Sequence, residues 1–150
     1  MLRQILKQSI LQKPAVQPAI AIALGAIAGA LCRYYWGLGM NRFLGIEVPY
    51  STMVINVSGC FVMGVLATLS LGTVITIHPN LRLLLLTGFL GAYTTFSSYE
   101  LDSARLLMQE RFVETGLYWA GSALLGLISA QLGIGLAEWL LAKLESNRAT

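Results

Sequence analysis

Charged residues are scarce in this chain of 150 residues. Only 11% of its positions are Asp, Glu, Lys or Arg, whereas 56% are hydrophobic. An ordinary soluble domain carries charge at about 25% of its positions, so a soluble fold of this size could not cover its surface. The mean hydropathy of +0.69 agrees. The composition therefore predicts an integral membrane protein.

Residues that build reactive sites are also few. The chain has two cysteines, Cys32 and Cys60, and one histidine, His78. Both cysteines fall inside apolar runs without a Cys-x-x-Cys spacing, which is typical of small buried apolar residues. The sequence contains no pattern for a metal-ligand cluster, a nucleophile triad or a phosphate-binding glycine loop. We therefore expect neither an enzyme nor a nucleic-acid partner.

Long apolar runs are what the chain does contain. About 20 residues are needed for a helix to cross a bilayer, and four runs qualify. They lie at about residues 18–36, 52–75, 81–108 and 116–141. Backbone polar groups must be satisfied inside lipid, and the runs lack the alternation of a membrane barrel, so all four are predicted helices. We expect one transmembrane domain, 18–142, followed by a C-terminal tail, 143–150.

The N-terminal tail, residues 1–17, combines three basic residues with apolar residues at helical spacing. This pattern indicates a short helix lying at the membrane surface. A signal peptide is the competing interpretation, but the apolar run that follows has no convincing cleavage site. We therefore expect the first span to be retained.

Basic residues are evenly divided between the two membrane sides once this tail is set aside. One side holds Arg82, Lys143 and Arg148, and the other holds Arg42, Arg105 and Arg111. Loop Lys and Arg normally set membrane orientation, so the bias here is weak. The division is compatible with one orientation set by the tail, and equally with insertion in both orientations to form antiparallel pairs.

The third run contains a polar stretch, "GFLGAYTTFSSYELD", at Gly88–Asp102. Gly91, Thr94 and Thr95 lower helix propensity together, which predicts a break near the middle of the span. A break would leave unpaired carbonyls before it and unpaired N–H groups after it, and such half-helices commonly form ion sites. The alternative is a continuous helix whose hydroxyls bond back to its own backbone.

Helical spacing beyond the break places aromatic and polar side chains on separate faces. Phe96 and Tyr99 share one face, whereas Thr95, Ser98 and Asp102 share another.

The second and fourth runs also carry polar residues. Asn56 shares a face with Thr52, and its two N–H donors suit either a bond between helices or a permeating anion. In the fourth run a stripe of small or hydroxyl-bearing residues recurs at helical spacing, for which tight packing is the simpler explanation. The stripe comprises Tyr118, Ser122, Gly126, Ser129 and Gly133. Gly25 and Gly29 form a similar Gly-xxx-Gly pair in the first run.

The stretches "GFLGAYTTFSSYELD", "STMVINVSGCFVMG" and "GALCRYYWG" closely resemble the Fluc (CrcB) family of fluoride channels. The similarity covers residues 19–141. It implies an antiparallel, dual-topology homodimer in the cell (inner or plasma) membrane, with two pores that export cytoplasmic fluoride passively and relieve its toxicity. It also implies a structural Na⁺ at the dimer centre.

The resemblance also implies roles for particular residues. Backbone carbonyls of Gly91 and Thr94 would hold Na⁺. The fluoride pore would be lined by Arg33, Thr52, Asn56, Thr95, Phe96, Ser98, Tyr99, Tyr118 and Ser122. Four positions depart from the family pattern: Ala92 replaces a second Gly, Tyr99 replaces Phe, Asp102 replaces Glu, and Gly126 replaces Ser.

Two other functions compete with a fluoride channel. A small four-helix multidrug or cation antiporter would need a carboxylate inside the membrane to exchange protons for drugs, and the first span has none. A structural membrane subunit would explain the stripes of small residues, but it would not explain the predicted break with its aromatic residues.

Overall fold

The computed structural model describes residues 16–45, 48–72 and 76–149, and these ranges are helical apart from short connections. The surface helix predicted for the N-terminal tail lies almost entirely outside the described residues. Strands are absent from the described part of the chain, so the predicted all-helical class is confirmed.

Five helical segments follow one another within the described ranges. We number them α1 (Val16–Leu44), α2 (Tyr50–Leu71), α3 (79–93), α4 (Phe96–Met108) and α5 (Phe112–Ala149). Within α3, a turn at Pro79–Arg82 leads into a π-helical segment, Leu83–Leu90, and then into Gly91–Tyr93.

Three of these helices are long and apolar enough to cross a membrane: α1, α2 and α5. The chain is therefore a multi-pass membrane protein. Neither α3 nor α4, which has 13 residues, reaches the roughly 20 residues that a crossing needs. Placed in succession, α3 and α4 cover the third predicted run, 81–108.

The helix ends differ from the predicted span ends. Hydropathy predicts which residues lie in the membrane, whereas the backbone conformation of individual residues decides where a helix ends. Helix α1 continues past residue 36 to Leu44 and ends at Gly45, which has a φ of +80° and donates its N–H to the Asn41 carbonyl. Helix α2 stops at Leu71, short of residue 75, because Gly72 is extended. Helix α5 exceeds the predicted 116–141 at both ends.

Glycines bring α1 against α3 so closely that the two backbones touch. A Cβ at Gly25 or Gly29 would collide with the carbonyl oxygens of Leu84 and Phe89 respectively, and one at Gly88 would collide with a carbonyl of α1. The Gly-xxx-Gly pair thus lies at the crossing of α1 and α3.

Helices α2 and α5 meet in the same manner. A Cβ at Gly64 would collide with the Ala130 carbonyl, and one at Gly133 with the Phe61 carbonyl. Ile55 of α2 packs with Leu90 and Tyr93 of α3 in a buried core cluster. The fold thereby places the connection between α3 and α4 against the side of α2.

Candidate functional site

Helical backbone geometry stops at Thr94 and Thr95, between α3 and α4. Thr94 has φ −79° and ψ 158°, and Thr95 has φ −151° and ψ 117°, so both residues are extended. We call residues 94 and 95 the interruption. Backbone groups that a continuous helix would pair internally need other partners here, because an unpaired backbone group away from water costs free energy.

The side chain of Asn56 supplies two of these partners. Its Nδ2 donates to the Thr95 carbonyl at 2.9 Å, and its Oδ1 accepts from the Thr95 N–H at 2.8 Å. In a continuous α-helix that N–H would pair with the carbonyl of Gly91, four residues earlier. Asn56 therefore joins α2 to the interruption and still keeps one N–H available.

The side chain of Thr95 redirects a second backbone N–H. Its Oγ1 accepts from the Ser98 N–H at 3.1 Å, which is an N-cap for α4. That N–H would otherwise pair with the Thr94 carbonyl. The two carbonyls expected to hold a cation, those of Gly91 and Thr94, thus both have their usual helical donors engaged elsewhere.

The guanidinium of Arg33 reaches the interruption from α1. Its Nη1 lies 3.5 Å from the Thr94 carbonyl oxygen, at the outer limit of a hydrogen bond. Arg33 is half-buried. A positive group from the first span therefore faces the negative carbonyl end of α3.

An open cavity of about 320 Å³ lies beside the interruption. Asn56, Thr95 and Phe96 line it together, and Cys60 contributes from the next turn of α2. The structure thus brings three of the predicted pore residues to one cavity. Phe96 is 74% exposed, so its ring is not part of the core of the chain.

Three aromatic rings form a row that leads from this cavity along α4 to α5. The ring centroids of Phe96 and Tyr99 are 5.8 Å apart, and those of Tyr99 and Tyr118 are 5.7 Å apart. Tyr99 is only 7% exposed, and its hydroxyl donates to the Trp119 carbonyl at 2.7 Å. The hydroxyl that distinguishes Tyr99 from phenylalanine is therefore already bonded.

The last ring of this row and a serine one turn further along α5 carry buried hydroxyls that have no hydrogen-bond partner within the described ranges, those of Tyr118 and Ser122. A buried polar group without a partner costs free energy, which points to a water or ligand as its natural partner. Nearby, Thr52 donates to the Asp102 carboxylate at 2.7 Å, and Arg105 lies 3.7 Å from that carboxylate. The three residues predicted to share a face, Thr95, Ser98 and Asp102, therefore do not act together. Asp102 bonds to α2, whereas Thr95 and Ser98 bond to each other.

The polar stripe of α5 divides in the same way. Ser129 donates to the Val57 carbonyl at 2.8 Å and Gly133 contacts Phe61, so this half packs α5 against α2. Gly126 leaves a Cβ ordinary space, 3.5 Å from the sulfur of Cys60. Trp119 was missed by sequence reasoning, because it acts through a backbone carbonyl that any residue would supply.

Comparison with known proteins adds independent information. A family model described as CrcB-like protein, Camphor Resistance (CrcB), matches residues 20–134. A protein of Trichormus variabilis named fluoride-specific ion channel FluC is 52% identical over 129 residues, which cover 86% of this chain and 94% of that protein. A protein of the same name from Synechococcus is 48% identical over 83% of this chain and 95% of its own length. Another from Synechocystis is 44% identical over 81% of this chain and 92% of its own length.

Proposed function

The chain belongs to the CrcB-like family, and from that premise we propose that it is a fluoride channel of the cell membrane. It would export cytoplasmic fluoride passively and so relieve fluoride toxicity. The names of the relatives support the choice of ion. The observation that carries the proposal is the row of ring edges and unpaired donors that leads away from the interruption.

The chemistry of this row suits a small, strongly hydrated anion. A pore for fluoride must replace water with hydrogen-bond donors, and the free N–H of Asn56 is one such donor. The unpartnered hydroxyls of Tyr118 and Ser122 are others. The rings of Phe96 and Tyr99 have electropositive edges and stand in one row with the ring of Tyr118. These groups carry no full positive charge, so the ion can leave as well as enter.

The remaining predicted pore residues would act less directly. The hydroxyl of Thr52 donates to the Asp102 carboxylate, so its hydrogen is already used. The hydroxyl of Thr95 donates to the Ser98 hydroxyl, which leaves the hydroxyl hydrogen of Ser98 free to bind an anion. Arg33 would raise the local concentration of anions near the interruption, because its positive charge faces the Thr94 carbonyl there.

A resident Na⁺ is the second part of the proposal. The carbonyls of Gly91 and Thr94 fit such an ion, because their helical N–H donors are bonded elsewhere and carbonyl oxygens suit a hard cation. Two carbonyls from each of two protomers would supply four oxygens. A bound Na⁺ would supply positive charge that offsets the negative end of α3.

An antiparallel, dual-topology homodimer is the third part. The even distribution of loop charges supports it, and so does the open side of the cavity, which a single protomer does not close. Single cysteines placed near either terminus should then be labelled by an impermeant thiol reagent from both sides of the membrane. Labelling from the cytoplasmic side alone would contradict dual topology.

Fluoride efflux from liposomes that contain the purified protein tests the function itself. An inside-negative potential supplies about 2.3 kcal/mol per charge per 100 mV, so efflux should need no other energy source. We expect rapid loss of fluoride and retention of chloride from matched vesicles. Equal loss of both ions would contradict selectivity. Proton flux that depends on a cationic drug would instead support the antiporter, which needs a carboxylate that α1 does not carry.

A further inference from the structure

Tyr93 is a buried polar residue that is not part of the proposed pore. It is the last residue of α3, it is 8% exposed, and it lies in the chain between Gly91 and Thr94. Its ring stacks almost parallel to that of Phe89, with centroids 5.8 Å apart and an angle of 9°. The ring thus fixes the end of α3 within the core.

The hydroxyl of Tyr93 is fixed as well, because it lies 3.0 Å from the hydroxyl of Ser58 on α2. Ser58 donates its only hydroxyl hydrogen to the Ile55 carbonyl at 3.0 Å, so Tyr93 must be the donor to Ser58. The result is a chain of two hydrogen bonds that runs from α3 into the backbone of α2. Bonds in such a chain polarise and strengthen one another.

Helix α2 therefore holds the interruption from both ends. Asn56 pairs with Thr95, the second residue of the interruption, and Ser58 pairs with Tyr93, which precedes the interruption. Gly59 makes the approach possible, because a Cβ there would collide with the methyl group of Thr94 and would lie 3.3 Å from the ring of Tyr93. One short segment of α2, residues 56–59, thus contacts every residue from 93 to 95.

We propose that Tyr93 is a positioning residue for the cation site, held in place by Ser58. This inference rests on the proposed function, since it concerns the carbonyls of Gly91 and Thr94. Those two carbonyls flank Tyr93 in the chain, so the direction in which each points depends on the backbone at residue 93. When the hydroxyl is anchored, the end of α3 cannot rotate, and both oxygens keep their orientation for Na⁺.

Thermal unfolding of the purified full-length protein, titrated with Na⁺ against N-methylglucamine, measures the apparent affinity for Na⁺. The variants are Tyr93→Phe, Ser58→Ala and the double variant. We expect each single change to weaken Na⁺ affinity about three- to tenfold, which is the range of one hydrogen bond. The double variant should be no weaker than either single variant, because both changes remove the same bond.

A matched control is available on the same helix. Thr68 donates its hydroxyl to the Gly64 carbonyl of its own helix at 2.8 Å, away from the interruption, so Thr68→Val should respond to Na⁺ as the wild type does. Ser58→Thr keeps a hydroxyl and should restore the affinity that Ser58→Ala loses. That rescue would not be expected if Ser58 contributed only volume to the core.

Unchanged Na⁺ affinity in Tyr93→Phe, or losses that add in the double variant, would overturn the inference. Fluoride efflux from the same preparations separates it from the proposed function. A wild type that conducts fluoride but shows no stabilisation by Na⁺ would overturn the role of Tyr93 and leave the channel intact. A wild type that is stabilised by Na⁺ but conducts no fluoride would overturn the channel instead.

Discussion

The helix crossings and the interruption differ in what the backbone requires from its neighbours: close packing at the crossings, and new hydrogen-bond partners at the interruption. At the crossings of α1 with α3 and of α2 with α5, glycines remove side chains so that two intact helices can touch. At residues 94 and 95 the helix itself is opened, and side chains from α2 and from Thr95 replace the lost backbone pairing. Lipid offers no hydrogen bonds, so the first region depends on shape and the second on donors and acceptors.

This contrast predicts two kinds of sensitivity. At a crossing, any added side-chain atom should lower the stability of the fold, whatever its chemistry. The observed result should be loss of the folded protein. The interruption and the ring row beside it should be most sensitive to the charge and polarity that a side chain presents to the ion, and changes there should cause loss of transport. Four substitutions test this division.

The largest effect is expected from Gly133→Ala at the crossing of α2 and α5. The new Cβ would collide with the Phe61 carbonyl and lie 3.1 Å from the Val65 nitrogen, so the two helices would have to separate. Overpacking of this kind costs about 1–3 kcal/mol or more. Size-exclusion chromatography and Tm should show loss of the folded protein. Gly135→Ala is the control, because a Cβ there meets no atom of the described chain within 4 Å. Equal behaviour of the two variants would contradict the crossing.

Asn56→Asp should come next and should remove transport while the protein still assembles. Aspartate can accept from the Thr95 N–H but cannot donate to the Thr95 carbonyl, and it places a negative charge at the cavity. Two like charges about 4 Å apart repel by roughly 4 kcal/mol at an effective dielectric of 20, or about a thousandfold in rate. Fluoride flux and oligomer size should be measured on the same preparation. Loss of assembly with no folded protein would mean that Asn56 serves only to join helices.

Phe96→Ile should reduce flux by about tenfold or more, which corresponds to roughly 1.4 kcal/mol at the barrier. Isoleucine keeps the apolar bulk and removes the electropositive ring edge. Folding should be unaffected, because Phe96 is 74% exposed. Phe43→Ile, at the 86% exposed Phe43 near the end of α1, is the matched control and should conduct normally. Normal flux through Phe96→Ile would remove Phe96 from the pore.

Tyr99→Phe should have the smallest effect, with flux within about twofold of the wild type and stability lower by about 1 kcal/mol. The hydroxyl donates to the Trp119 carbonyl, so its loss should leave the ring edge where it is. Liposome flux and Tm on one preparation measure both quantities. A several-fold fall in flux would show that the hydroxyl, rather than the ring edge, meets fluoride.

The sequence predicted the parts of this arrangement that depend on composition and local propensity. The membrane class follows from the apolar runs, and the small residues Gly25, Gly29 and Gly133 lie at helix crossings. The low helix propensity of Thr94 and Thr95 identified the stretch where the dihedrals become extended. The resemblance to the family, rather than periodicity, singled out Asn56 and Arg33 as residues of the pore.

The partners of these residues could not be predicted, because they depend on how one helix is rotated against another. Periodicity gives the face of a residue on its own helix but not the atom opposite it. Nothing in the sequence pairs Ser58 with Tyr93, or the Tyr99 hydroxyl with a backbone carbonyl on α5. The same limit explains why Asp102 was grouped with Thr95, although it bonds to Thr52.

The double hydrogen bond between Asn56 and Thr95 also constrains the order in which the chain can enter the bilayer. A bare peptide group costs several kcal/mol in hydrocarbon, so Thr95 cannot cross lipid before it has a partner. Helix α2 precedes Thr95 in the chain and is therefore synthesised first. Until Thr95 follows, the side-chain amide of Asn56 also lacks its hydrogen-bond partner. Each group satisfies the other when both segments insert together, so we expect α2 and the α3–α4 pair to enter the bilayer as one unit.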